Sequence, residues 1–348
     1  MNFFQKVPKI ELHAHLNGSL SNQTLAELRN LKYGSYGNQP GSDDSFYRIT
    51  SKTNLTLQEC FQKFKYAHDL TDQPDTLAFA TRKVIQEFAE DNVVYLELRT
   101  TPKATAHMTK REYLTTVLET IRKSQTEFPK ITVKLLPSID RSKGVKEAEE
   151  NVDLVLDLAK SYPDLIKGMD LSGAPFGTKF SDYRDLLRRA QSAGLKMALH
   201  CGEFDDDGEV REMFEFGTDR IGHGTFIKGD NLEFAKKAKI PFECCLTSNV
   251  KCSTVPSYEE HHFKRLWKEG FEVCVCTDDF GVFETTLSQE LFLCAKTFGL
   301  TPDQIILLEE RSIAYTFASA DEKRALATLF EDFRREEEEG EEYPPSPI

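Results

Sequence analysis

Eight apolar runs of strand length, separated by stretches of helical period, constrain this chain more than any other feature. They fall at residues 10–14, 93–98, 131–136, 166–171, 195–199, 220–222, 240–246 and 271–276, the sixth being very short. Helical patterns lie between them at 77–91, 110–126, 145–161, 183–194, 232–239 and 258–269. Alternation of this kind is the pattern of parallel sheets built from β-α units, and eight units predict an α/β fold, a (β/α)8 TIM barrel. Each run also ends in polar side chains that a packed interior does not need: His13 and His15, Arg99 and Thr100, Asp140, Ser172 with Gly173, His200, His223, Ser248 with Asn249, and Asp278. All mark the carboxyl edge, where barrels of this type assemble their active sites from distant parts of the chain.

Roughly eighty residues separate the first two strands, far more than one loop and helix require. The excess reads as extra helices at 21–31, 56–70 and 75–91, with a Gly/Ser/Asp-rich loop from Tyr33 to Ser45 over the barrel mouth. Further helices are expected after the eighth strand, at 286–298, 301–317 and 321–335. The 348 residues then divide into one barrel domain, 1–335, and an acidic, disordered tail, 336–348. A formal net charge of −13 argues against binding nucleic acid polymers, which needs lysines and arginines against the phosphates. The eight cysteines form no C-x-x-C pair and read as buried thiols. No secretory leader or membrane span is recognisable, so a cytoplasmic protein without membrane contact is expected.

Four short strings carry the chemistry: His13-Ala-His15, His200-Cys-Gly-Glu203, Ile221-Gly-His223-Gly224 and Thr277-Asp278-Asp279. Residues two apart on a strand point to the same side, so His13 and His15 can share one metal ion. The helical alternative, histidines at i and i+4 bracketing a glutamate, does not occur. Imidazoles with a carboxylate suit zinc, which lowers the pKa of its water and makes a nucleophile where no serine or cysteine signature exists. The reaction class is therefore hydrolytic. Glu203, three residues after His200, is placed to act as general acid. His223 can hydrogen-bond or deprotonate the water, and Asp279 can orient a substrate. A lone histidine is more often structural, so His107, His261 and His262 are read as surface or helix residues. Paired aspartates often cap helices, and Cys201 has no assigned base and reads as structural.

Taken together, the ordered strings Pro8-Lys-Ile-Glu-Leu-His-Ala-His-Leu-Asn-Gly-Ser19, Tyr95-Leu-Glu-Leu-Arg-Thr-Thr-Pro102, Asp170-Leu-Ser-Gly173, Arg220-Ile-Gly-His-Gly-Thr225, Cys245-Leu-Thr-Ser-Asn249 and Cys276-Thr-Asp-Asp279 resemble the adenosine deaminase superfamily over nearly the whole chain. Within it they are most similar to the branch that deaminates N6-methyl-AMP. The resemblance implies a monomeric (β/α)8 enzyme holding one zinc ion through His13, His15, His200 and Asp278. It implies that Glu203 protonates purine N1 while hydroxide attacks C6, with His223 and Asp278 accepting and steering the water proton. Asp279 would contact N7 and the Gly173 backbone N3. His15, Asn17, His68, Thr100, Thr101, Pro102, Lys103 and Asp140 would line the nucleotide part of the site. Lys103 stands where the family often has arginine; it keeps the charge without the planar fork. The implied reaction is hydrolysis of N6-methyl-AMP, or related N6-substituted AMP, to IMP and the free amine. Three alternatives stay open: deamination of adenosine, a purine-nucleotide-binding protein without turnover, and a hydrolase of another cyclic amidine. The cytidine-type zinc deaminases, with their H-x-E and P-C-x-x-C strings, are excluded because neither string occurs.

Overall fold

The computed structural model describes residues 2–34, 44–50, 52, 55–175 and 177–341. Eight strands follow one another around a single sheet in chain order: β1 (Lys9–His15), β2 (Val93–Thr100), β3 (Thr132–Asp140), β4 (Gly168–Ser172), β5 (Lys196–Cys201), β6 (Arg220–His223), β7 (Phe242–Cys244) and β8 (Val273–Val275). All seven neighbouring pairs are parallel. The ring closes just beyond β8. There Ala14 bridges Asp278, whose N–H donates to the His13 carbonyl at 2.8 Å while the His15 N–H donates to the Asp278 carbonyl at 2.9 Å. This is the expected TIM barrel with additional helices, and closure leaves no unpaired sheet edge.

Helices cover the outside, so the strands are buried on both faces and read as near-continuous apolar runs. Among the charged residues of the strands, Glu11, Glu97, Arg99, Lys134, Asp170, Arg220 and Glu243 are all buried. Several of them pair inside the barrel. Arg220 reaches Glu97 and, at 2.7 Å, Glu243; Arg99 reaches Glu243 at 2.5 Å and Asp170 at 3.4 Å. Removing one partner of such a pair leaves an uncompensated buried charge and costs on the order of 3–5 kcal/mol. The network forms a fixed floor beneath the mouth.

Between β1 and β2 stand the helices Asn22–Tyr33, Asp44–Thr50, Leu57–Leu70 and Pro74–Glu90. Ser21 starts the first by accepting the Thr24 N–H, and Thr56 with Glu59 caps the third reciprocally. Residues 35–43 of the loop expected from Tyr33 to Ser45 lie outside the described residues, as do residues 342–348 of the tail. The last helix, Ala320–Glu341, runs past the boundary expected at Arg335.

Several elements depart from the periodicity reading. The run at 240–246 is strand only over Phe242–Cys244, and Leu246–Lys251 is helix, because an apolar run alone does not separate a buried strand from a buried helical turn. The helix expected at 258–269 is confined to Phe263–Lys268. Conversely, Asp206 caps an unanticipated helix, Asp207–Phe216, whose buried Val210, Met213 and Phe214 stand at helical spacing. All eight cysteines are free thiols, and seven are buried. Among the described residues, no helix is long and apolar enough to cross a membrane.

Candidate active site

Four donors converge at the carboxyl end of the barrel, from β1, β5 and the turn after β8. His13 Nε2 lies 3.2 Å and His15 Nε2 3.3 Å from His200 Nε2, and each lies 3.4 Å from Asp278 Oδ1. Ligand atoms about 2.0–2.1 Å from a tetrahedral centre are separated by roughly 3.3–3.4 Å. Those four separations suit donors that share one ion, and bare imidazole nitrogens this close would otherwise face one another lone pair to lone pair, so the donor set fits a metal. His223 lies near the same cluster, with one ring nitrogen within 4.8 Å of ligand atoms on His13, His200 and Asp278.

Orientation comes from beneath. His13 Nδ1 is 2.7 Å from Glu243 Oε2 and His200 Nδ1 is 2.8 Å from Asp170 Oδ1, so each ring donates behind itself and presents a bare Nε2 to the centre. Burial alone would raise the pKa of Glu243, but Arg99, Arg220 and His13 hold it well below the usual carboxylate range. Asp170 is likewise lowered, His200 and Arg99 outweighing its burial. Both stay anionic, as an acceptor behind a ligating imidazole must.

Glu203 stands at the rim with its side chain 36% exposed, its Oε1 3.5 Å from His223 Nε2. Ser248 donates to Asp278 Oδ2 at 2.7 Å and leaves Oδ1 facing the histidines. His223 and Asp278 both have a φ of 61°. This left-handed conformation is tolerated by few residues and turns both side chains inward at their strand ends; such strain gathers at functional sites. Asp279 Oδ1 is buried without a partner. Burial, then the charges of Asp278 and Glu203, push its pKa well above the usual carboxylate range, which favours the protonated form. Gly18 makes room for it: a Cβ there would lie 1.6 Å from Asp279 Oδ1.

A cavity of about 570 Å³ opens over this cluster. Its lining includes His15, Asn17, His68, Thr100, Thr101, Gly173, His200, Glu203, His223, Asp278 and Asp279. Pro102, Lys103 and Asp140 are not among the described residues of that lining. Lys103 instead donates to His68 Nδ1 at 3.0 Å and to the His68 carbonyl at 3.2 Å. Burial and the nearby charges of Lys103 and Lys143 lower the His68 pKa to about 4, so the ring is neutral and its Nε2–H is the donor left for a ligand. Asp140 Oδ1 accepts from the Ser142 N–H and hydroxyl, and a Cβ at Gly173, where φ is +86°, would lie 2.1 Å from it. Asn17 is held between Thr71 and Tyr113, whose hydroxyl also meets Thr100 Oγ1 at 2.6 Å.

Several contributors escaped the sequence reading. Asp170 and Glu243 carried a signal, a carboxylate inside an apolar strand run, which in a closed barrel demands a buried partner. His261 is not a surface residue but 1% exposed, and its neighbour His262 donates to the His223 carbonyl at 2.9 Å. His107 is exposed, as expected.

A closed barrel whose carboxyl end holds a cluster able to bind a metal, beside a glutamate and a buried carboxyl group, has the architecture of a metal-dependent hydrolase. Residues 8–332 match the adenosine deaminase family, and the chain belongs to it. It is accordingly an enzyme, a deaminase hydrolysing C–N bonds. It is 45% identical over 328 residues to the adenosine deaminase-like protein of Drosophila melanogaster, covering 93% of this chain and 96% of that one. It is 41% identical over 329 residues to the N6-methyl-AMP deaminase of Homo sapiens, covering 91% of each. Among solved structures, Arabidopsis ADAL complexed with IMP superposes with a TM-score of 0.84 at 37% identity, over 97% of this chain and 99% of that one.

Proposed function

We propose that this enzyme hydrolyses N6-methyl-AMP, and related N6-substituted AMP, to IMP and the free amine, using one zinc ion per chain. The observation that carries the reading is one cavity with a cluster of three imidazoles and a carboxylate at one end and a lysine-backed histidine at the other. The human relative's name and the IMP held by the Arabidopsis structure support the same substrate class. Zinc suits three imidazoles and a carboxylate, and when bound it would supply a hydroxide nucleophile at neutral pH.

The chain's own groups do the rest. Glu203 gives a proton to purine N1, which makes C6 electrophilic; the water oxygen bonds to C6 as its proton passes to Asp278, that proton is handed on to N6, the C6–N6 bond breaks and the neutral amine leaves, and loss of the remaining oxygen-bound proton restores Glu203. Protonated Asp279 donates to N7, an acceptor, and the Gly173 backbone meets N3, so the ring is held with C6 toward the nucleophile. At the far end His68 Nε2–H and Thr101 face the 5′-phosphate, with Lys103 adding charge from behind. A cavity of about 570 Å³ is of a size to enclose a mononucleotide. The test is a comparison of kcat/KM for N6-methyl-AMP, AMP and adenosine on the zinc-loaded enzyme. N6-methyl-AMP should exceed adenosine by at least about a hundredfold, the worth of a well-made charged contact. Adenosine as the best of the three would overturn the assignment.

A further inference from the structure

Of the two roles open to His223, hydrogen-bond donor or base, the groups behind it select one. The selection starts at a backbone amide, which can only donate. The Phe263 N–H donates to His261 Nδ1 at 3.1 Å, so that nitrogen is bare and the proton of the neutral ring is on Nε2. His261 Nε2 therefore donates to Asn249 Oδ1, 3.0 Å away. This fixes which end of the Asn249 amide is oxygen, an assignment that otherwise rests on choice.

A second contact fixes it independently. The Thr254 hydroxyl gives its one proton to the Asn249 carbonyl at 3.1 Å, so toward the side chain it can only accept, and Asn249 Nδ2 donates to it at 3.1 Å. The other Nδ2 hydrogen faces His223 Nδ1 at 3.5 Å. A donor aimed at Nδ1 leaves that nitrogen bare and places the proton on Nε2. His223 Nε2 is the nitrogen turned to the reaction centre, 3.5 Å from Glu203 Oε1 and 4.0 Å from Asp278 Oδ2. Asn249 and His261 are 3% and 1% exposed, so water does not compete for these bonds. Burial also lowers the His261 pKa, to about 2, in keeping with a neutral ring.

We infer that His261 and Asn249 are positioning residues that order protons from the Phe263 amide to His223, holding it as the Nε2–H tautomer. His223 then serves the proposed hydrolysis by donating to and aiming the incoming oxygen. The proton lost by the attacking water goes to a carboxylate, Asp278, rather than to the imidazole. This rests on the deamination reading for its chemistry, while its structural content, the tautomer, does not depend on which purine is the substrate.

The test is ¹⁵N NMR of the histidine side chains in the zinc-loaded enzyme at fixed pH, where the shift of each ring nitrogen reports whether it is protonated. His223 and His261 should both show a protonated Nε2 and a bare Nδ1; a protonated Nδ1 on His223 would overturn the inference. Asn249→Asp replaces the donor facing His223 by an acceptor. It should move the His223 proton to Nδ1 and lower kcat by about a hundredfold, with KM within about twofold. Asn249→Leu removes the donor without adding an acceptor and should show both tautomers. Should Asn249→Asp fail to fold, the parent and Asn249→Leu spectra still decide. A folded Asn249→Asp enzyme that keeps Nε2–H, or that flips with unchanged kcat, would contradict the proposal. Failure of the substrate assignment would appear in the nucleotide comparison and leave these spectra untouched.

Discussion

The end of this cavity proposed to hold the metal and the end proposed to hold the nucleotide's phosphate are built on different principles. At the metal end, the ligands leave strand ends of a closed barrel, and the rings of His13 and His200 are locked from behind by Glu243 and Asp170. One guanidinium, Arg99, touches both carboxylates. At the nucleotide end, His68 comes from the inserted helix Leu57–Leu70 and Lys103 from the loop after β2, and the two hold each other. The first region is oriented before anything binds, as metal coordination demands. The second uses donors whose aim a flexible phosphate can tolerate. Geometry matters most where bonds are made and broken, and charge is sufficient where a ligand is anchored.

If that contrast is right, the largest effect comes from the acid beside the metal. Glu203→Gln should lower kcat by about 10²–10⁴ while the metal content stays at that of the parent. A variant that lost its metal would show Glu203 to be a ligand, and one with parental kcat would remove it from catalysis. Next in size is the support beneath the ligands. Asp170→Asn leaves His200 facing an amide instead of an anion, and metal affinity measured by chelator competition should fall by about 10–100-fold. Unchanged affinity would mean that the barrel floor does not order the site. Smaller and more selective is Lys103→Ala, which should reduce kcat/KM for the nucleotide about tenfold and leave the nucleoside within about twofold. Equal losses on both would erase the distinction between the two ends.

The same contrast explains what could be read from the sequence. Sheet periodicity put His13 and His15 on one side of β1 and marked the polar end of each strand, so the barrel and the face that carries the cavity were legible before any coordinates, while the resemblance named His200 and Asp278 as their companions. That Glu203 lines the cavity beside His223 was legible from its spacing to His200. The supports were harder to see because their partners are far away in the chain: Glu243 meets His13 across 230 residues, and Asp170 meets His200 across 30. Only the closed ring brings them together. His261 looked like a surface residue because its neighbours are polar, yet it packs beneath Asn249 in a segment with little regular structure. The space that Gly18 leaves for Asp279 is a contact between two loops, which no local pattern encodes. At the nucleotide end, the expected residues were named but not their order, and Lys103 stands behind His68 rather than in the lining of the cavity.

The central claim is that His13, His15, His200 and Asp278 surround one ion. Anomalous diffraction at the zinc edge from crystals of the zinc-loaded enzyme tests it directly. One peak per chain within bonding distance of all four donors is the expected result. A peak elsewhere, or none in an enzyme that retains full activity after exhaustive chelation, would contradict it.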